Sequence, residues 1–247
     1  SAPNTWRSLE TGLRCENWLR AAALLADSGV LTDERRARMD ASLVQHGEYL
    51  VRSYDTFHKL SNWGILQDNG LYLLGLYLGR QDWCALAARR MDGNLHRSVF
   101  ADGSQWEQSP LYHCEVLHSA LNTLHYAQAA GQTLPDRMVE NIRRMCTALA
   151  KWCKPNGELL LQSDSDTVDA RDLLVLGAAL LDDADLYACG GGQFWVENLW
   201  DLGTETEALW AARPAGKRQT ASAALPDSGN YMLRGAHESY VHMHCGC

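Results

Sequence analysis

Three polar segments of this chain hold residue types whose spacing suits a binding or catalytic site: Ser61 to Asn69, Asp102 to His113, and Gln162 to Asp166. Each leads into an apolar periodic run, so each is expected to start a helix. The unpaired N–H groups of a helix start suit an anionic ligand. The carboxylates Asp68, Asp102, Glu107, Asp164 and Asp166 are candidates for the acid and the base or nucleophile of a glycoside hydrolase. Each segment also has a structural explanation. Asn62, Ser109 and Asp166 are good N-caps, and Ser109-Pro110 is a cap followed by proline at the first helical position. By the same reading Tyr112 is a core tyrosine and His113 a surface residue. The clustering of three such segments favours a site.

The elements that must position these segments are mainly helices. The pattern predicts helices at 6–28, 33–53, 63–79, 81–97, 109–130, 135–153, 168–184 and 193–202. Met138, Ile142, Met145, Leu149 and Trp152 follow one helix face. Stops fall at Gly29, at Gly131 and at Lys154-Pro155-Asn156-Gly157. The third helix is apolar nearly all round from Leu71 to Leu78, as expected of a helix enclosed by others. Helices of similar length with short connections pack as successive hairpins, and the expected fold is an α/α toroid. The three polar segments precede the third, fifth and seventh helices. If helices alternate in direction, the segments share one rim.

Near residue 212 the character changes. Arg213 to Arg218 reads as a linker, and Asn230 to Arg234 and Tyr240 to His244 read as two strands about a short turn. A lone hairpin is marginal, so these are expected to be the first strands of an antiparallel β-domain cut short at Cys247. The expected division is 1–211 for the toroid and 212–247 for the linker and strands.

Composition narrows the function classes. The chain has 247 residues, 46% of them apolar, ample for a sizeable core. No run of about 18 apolar residues is present to span a membrane, and the first residues do not form a signal peptide. A net charge of −8 argues against a nucleic-acid partner. It also disfavours heavily sulfated substrates, although global charge does not set the field within a cleft. The eight cysteines are scattered through apolar helical patterns, and the expectation is reduced, buried thiols in a cytoplasmic protein. His242, His244, Cys245 and Cys247 suggest a metal. On a strand, however, the histidines face one side and the cysteines the other, so no metal or cofactor is expected here.

Trp6 to Arg14 with Trp18, the Asn62-Trp63-Gly64 stretch, the run from Asp102-Gly103 through Glu107 and Ser109-Pro110 to Tyr112-His113, and Pro226 to Arg234 together resemble the heparinase II/III polysaccharide lyases, in the same order along most of the chain. The resemblance implies β-elimination on a uronate-containing polysaccharide or oligosaccharide. In that reaction the C5 proton is removed and the bond at C4 breaks, leaving a C4–C5 unsaturated uronate end. By motif position Asn62 neutralises the uronate carboxylate, and Tyr112 acts as base and then acid. His113 completes the catalytic set. A free tyrosine titrates near about 10, so a donor-rich or cationic setting is expected from His113, His58 or Arg234. Trp63, Gln67, Glu107, His58, Asp164 and Arg234 are the expected substrate-binding residues. Trp63 stands where relatives often carry histidine, and offers a face for sugar stacking. The family's second catalytic histidine, and any structural metal, belong to a β-domain segment beyond Cys247. The rivals are a toroid hydrolase with paired carboxylates and a non-catalytic carbohydrate-binding toroid.

Overall fold

The computed structural model describes residues 5–246. Nine helices, α1 (Ser8–Leu24), α2 (Asp33–Arg52), α3 (Asn62–Tyr77), α4 (Gln81–Ser98), α5 (Pro110–Ala129), α6 (Asp136–Trp152), α7 (Arg171–Leu181), α8 (Ala184–Cys189) and α9 (Val196–Ala211), precede three strands among the described residues. The strands are β1 (Ala223–Leu225), β2 (Asn230–Arg234) and β3 (Tyr240–His244). Two compact units divide the chain: Ser1–Arg97 with Asn122–Met138, and Ser98–Leu121 with Val139–Cys247. No described helix is long and apolar enough to cross a membrane.

In the first unit α1 and α2 both pack on α3. Every residue of α3 from Gly64 to Gly75 is buried, which its all-round apolar character anticipates. Of the polar residues this encloses, Asn69 is engaged at both ends of its amide, whereas Gln67 Oε1 and Asp68 Oδ2 have no partner among the described residues. Asn69 donates from Nδ2 to Glu16 (2.8 Å) and accepts at Oδ1 from Asn122 (3.2 Å) and Thr123 (3.0 Å). Such satisfaction is what makes buried amides tolerable. The start of α2 is set by Thr32, whose Oγ1 accepts from the Arg35 backbone N–H at 3.3 Å. Asp33 and Glu34 in its first turn suit the positive end of the helix dipole.

The second unit is organised around α6. Ile142, Met145, Leu149 and Trp152 on its apolar face are fully buried, whereas Arg143, Arg144 and Thr147 are exposed. The strands form an antiparallel sheet in the order β1-β2-β3, with Ala223 opposite Met232 and Met232 opposite His242. Leu225 and Met232 from one face of this sheet pack on Ala148 and Trp152 of α6. The Tyr240 hydroxyl donates to the Trp152 carbonyl at 2.8 Å.

Several expected elements take a different form. The helix expected at 168–184 is two: α7 ends where Asp182 turns left-handed (φ 56°), and Asp183 caps α8 by accepting from the N–H groups of Asp185 and Leu186. The last helix continues past 202 through a kink at Gly203. β1, with only three residues, gave too short a pattern to read. Asp166 caps nothing, since α7 starts later with Ala170 before it. The N-cap of α3 is Ser61, with Asn62 as the first helical residue.

Candidate functional site

The second unit holds the more elaborate of the two polar helix starts. Pro110 begins α5, and Ser109 Oγ accepts from the Tyr112 N–H at 3.3 Å, the cap expected of serine before an N1 proline. The same hydroxyl donates to the Asp164 carbonyl at 2.7 Å. Around it the loop before α7 is tied to the start of α5. The Leu111 N–H donates to Ser165 Oγ at 3.0 Å, and Gln162 Nε2 donates to the Gln108 carbonyl at 3.2 Å. Gln108 and Ser163 both take positive φ, 57° and 55°, a conformation uncommon outside glycine.

This bracing puts the Tyr112 hydroxyl against Asp164 Oδ2, to which it donates. Tyr112 is partly exposed and Asp164 exposed. The hydrogen bond to Asp164 holds the Tyr112 pKa above its ordinary value, with Glu107 adding to the effect. In the free protein the phenol is therefore protonated, with a carboxylate as the acceptor in line with its proton.

His113, one residue on, faces the other way. It is fully buried, with Nε2 donating to the Met145 carbonyl at 3.1 Å and its ring edge-on to Trp152. Burial lowers its pKa to about 4, so it is neutral at pH 7. It is not the surface residue its neighbours in sequence suggest, and it is not accessible to a substrate. Adjacent residues on a helix point about 100° apart, enough to send one to the surface and the next into the core.

The start of the same segment is structural. Asp102 accepts at Oδ1 from the Ser104 N–H (3.0 Å) and at Oδ2 from the Ser228 N–H (2.9 Å). Burial alone would raise its pKa, but the hydrogen bonds from Ser104 and Ser228 outweigh that and lower it. Gly103 (φ 92°) lies so close to α6 that a Cβ there would stand 2.2 Å from the Arg144 carbonyl oxygen. Asn230 extends the connection, donating to Gln108 Oε1 at 3.1 Å and accepting from His242 Nε2 at 2.9 Å. His242 is thereby engaged within the sheet, and Cys247 lies outside the described residues. Arg234 donates to the Lys151 (2.9 Å) and Cys153 (2.7 Å) carbonyls at the end of α6, where a cation suits the helix dipole.

The first unit carries the Asn62 segment. Asn62 and Trp63 are half-buried. Phe57 meets the Trp63 ring edge-on at 5.3 Å, and the Arg7 guanidinium lies 4.9 Å from its centroid. Gly64 admits the preceding loop, since a Cβ would stand 2.0 Å from the His58 carbonyl oxygen. His58 is buried between Ser8 Oγ (2.6 Å) and Asp55 Oδ1 (2.8 Å). Gln67 is fully buried, donating to the Leu50 carbonyl at 2.8 Å, so it braces α3 instead of facing solvent. Asp68 is also fully buried, 3.4 Å from Arg90, and burial raises its pKa well above the usual carboxylate range against the opposing pull of Arg90. The residues sequence reasoning missed are Ser165 and Gln108. Only the cap-forming Ser109-Pro110 pair hinted that this helix start is anchored from outside.

The family model for the heparinase II/III N-terminus matches residues 1–179. Among solved structures, the chain is similar to heparinase III, with 15% identity and a TM-score of 0.76 over 98% of this chain and 38% of that one. It is likewise similar to the heparan sulfate lyase HepC from Pedobacter heparinus, with 20% identity and a TM-score of 0.67 over 96% of this chain and 36% of that one. The chain thus spans little more than a third of the length of these solved proteins. No curated protein matches the sequence. The structural likeness gives the fold class expected from the sequence, an α/α toroid leading into strands of an antiparallel sheet.

Proposed function

This chain belongs to the heparinase II/III family, whose N-terminal domain it carries, and on that premise we propose that it is the helical part of a polysaccharide lyase acting on a uronate-containing glycan by β-elimination. Tyr112 is the proton carrier. As tyrosinate it takes the C5 proton, the C5 electron pair forms the C4–C5 double bond, and the C4–O bond breaks. The same hydroxyl then returns the proton to the departing oxygen. Before the first turnover the phenol proton must leave, and Asp164 Oδ2 is the group in line to pass it to solvent. Asn62 is the donor to the uronate carboxylate, spreading the charge that builds up next to it when the proton is lost. Trp63 offers an aromatic face to a sugar ring, and Glu107 and Asp164 meet its hydroxyls.

The observation that carries this reading is the fate of the titratable residues in the Asp102–His113 segment. Tyr112 combines surface access with a partner for its proton, while His113 is enclosed and neutral. The hydrolase alternative is weakened by the same geometry. Asp68 is sealed in the first unit, and Asp102 is held ionised by Ser104 and Ser228, so neither suits an acid that must give a proton to a leaving group.

The test is incubation of the full-length protein with a panel of uronate polymers (heparan sulfate, hyaluronan, chondroitin and alginate). New ultraviolet absorbance from the C4–C5 double bond is the expected result. Reducing ends without that absorbance would instead indicate hydrolysis.

A further inference from the structure

The second unit contains a cleft that the chemistry above leaves unused. Its volume is about 150 Å³, and its lining includes Lys154, Arg171, Arg218 and Arg234 together with Cys153 and Cys189; neither Tyr112 nor Asp164 lines it. The turn after α6, the start of α7, the end of α8 and the approach to the sheet supply these side chains.

The charges do not cancel. Lys154 pairs with Glu158 at 3.5 Å, and Arg171 pairs with Asp169. Arg218 and Arg234 have no carboxylate partner among the described residues. Their guanidiniums donate to backbone carbonyls, Arg218 to Pro155 and Arg234 to Lys151 and Cys153. Four cations against two carboxylates leave two positive charges. In addition, the Arg234 Nε–H is buried without an acceptor among the described residues, a costly arrangement unless something accepts from it. Burial pushes the Cys153 thiol up to about 12 and raises that of Cys189, so neither thiol supplies a compensating negative charge at pH 7.

We propose that this cleft binds a small oxyanion of sulfate type, either a free ion or a sulfate ester on a glycan. Guanidinium groups match such oxygens with directed, charge-assisted hydrogen bonds. Water takes about 30 Å³ per molecule, so the cleft has space for the five heavy atoms of a sulfate group. The chain's overall acidity does not oppose this, because the field inside a cleft follows its own lining. The ester form of the proposal rests on the lyase reading, whereas the free-ion form stands without it.

Calorimetric titration of the intact protein with sodium sulfate, at ionic strength held constant with chloride, tests the proposal. Saturable binding is expected, weakened about tenfold or more in Arg218→Gln, the loss typical of one charge-assisted partner. Arg52→Gln, an exposed change in the first unit, should bind as the unaltered protein does. Arg218 is exposed, so the fold should survive its replacement, and Arg218→Lys should fall between the two. Absence of saturable binding, or equal affinity in Arg218→Gln, overturns the proposal. A second arm compares a sulfated heparan oligosaccharide with its desulfated counterpart. Preference for the sulfated form that is lost in Arg218→Gln identifies the ester as the ligand. The same preference undiminished in Arg218→Gln, with inorganic sulfate weakened, identifies the free ion. Failure of the protein to cleave any glycan would refute the lyase and leave the sulfate titration unaffected.

Discussion

The segments that open α3 and α5 use similar residues, a serine at the N-cap followed by polar and aromatic side chains, yet the two units use them differently. In the first unit α3 is enclosed, and Ser61 Oγ caps nothing and has no partner among the described residues. Gln67, Asp68 and Asn69 are drawn inward as bracing. In the second unit Ser109 caps α5 and binds the facing loop, and Tyr112 is held outward against Asp164. Polar residues near a helix start therefore face a site only where they stay uncovered, as Asn62 and Trp63 do in the first turn of α3 and Tyr112 does in α5. Where the helix is sheathed, the same residues serve as internal supports.

The comparison can be broken most decisively at Tyr112. In the full-length protein Tyr112→Phe is expected to abolish turnover with glycan affinity nearly unchanged, since one oxygen is removed and little volume. Asn62→Ala should lower turnover by about 100- to 1,000-fold, the usual cost of one charge-stabilising donor. Asp164→Asn should cost less than either, because solvent reaches the phenol without it. Initial rates and binding isotherms decide the order, and near-normal turnover by Tyr112→Phe would refute the mechanism.

On the enclosed side, Arg90→Met should destabilise the chain by about 3 kcal/mol or more in chemical denaturation, because it strands a buried carboxyl. Arg90 also donates to the Val51 carbonyl at 2.8 Å, which that change would leave without this partner.

His113 gives a pH signature. Its folded pKa, about 4, lies below the ordinary 6.5, so the unfolded chain binds the proton more readily. The contribution of His113 to stability is full above pH 6.5 and is lost as pH falls toward 4, amounting to about 3 kcal/mol across the window. Unfolding midpoints measured from pH 7.5 to 4 should fall accordingly, and His113→Gln should flatten that dependence.

The smallest expected effect is that of Ser109→Ala, about 1 kcal/mol from the lost cap, with an additional loosening of the 162–165 loop visible as faster amide exchange. Ser61→Ala, by contrast, should be close to neutral, since that hydroxyl makes no cap.

The sequence by itself determined the helical order and the strands at 230–234 and 240–244, because periodicity of burial is a property of local sequence that packing only completes. It also marked the helix starts at Asn62 and Pro110 to within a residue, since capping chemistry is local. It did not reveal β1, whose three residues are too few to carry a period, or the break at Asp182, where a left-handed residue divides one expected helix into two. Tertiary structure alone decided which polar residues face outward. Tyr112 and His113 are adjacent and equally polar in sequence, but α6 and Trp152 cover only one of them. Asp102 and Ser228 are 126 positions apart, and Arg218 and Arg234 share a cleft with the turn after α6. No local pattern encodes such meetings, because they depend on which surfaces the packed helices leave uncovered.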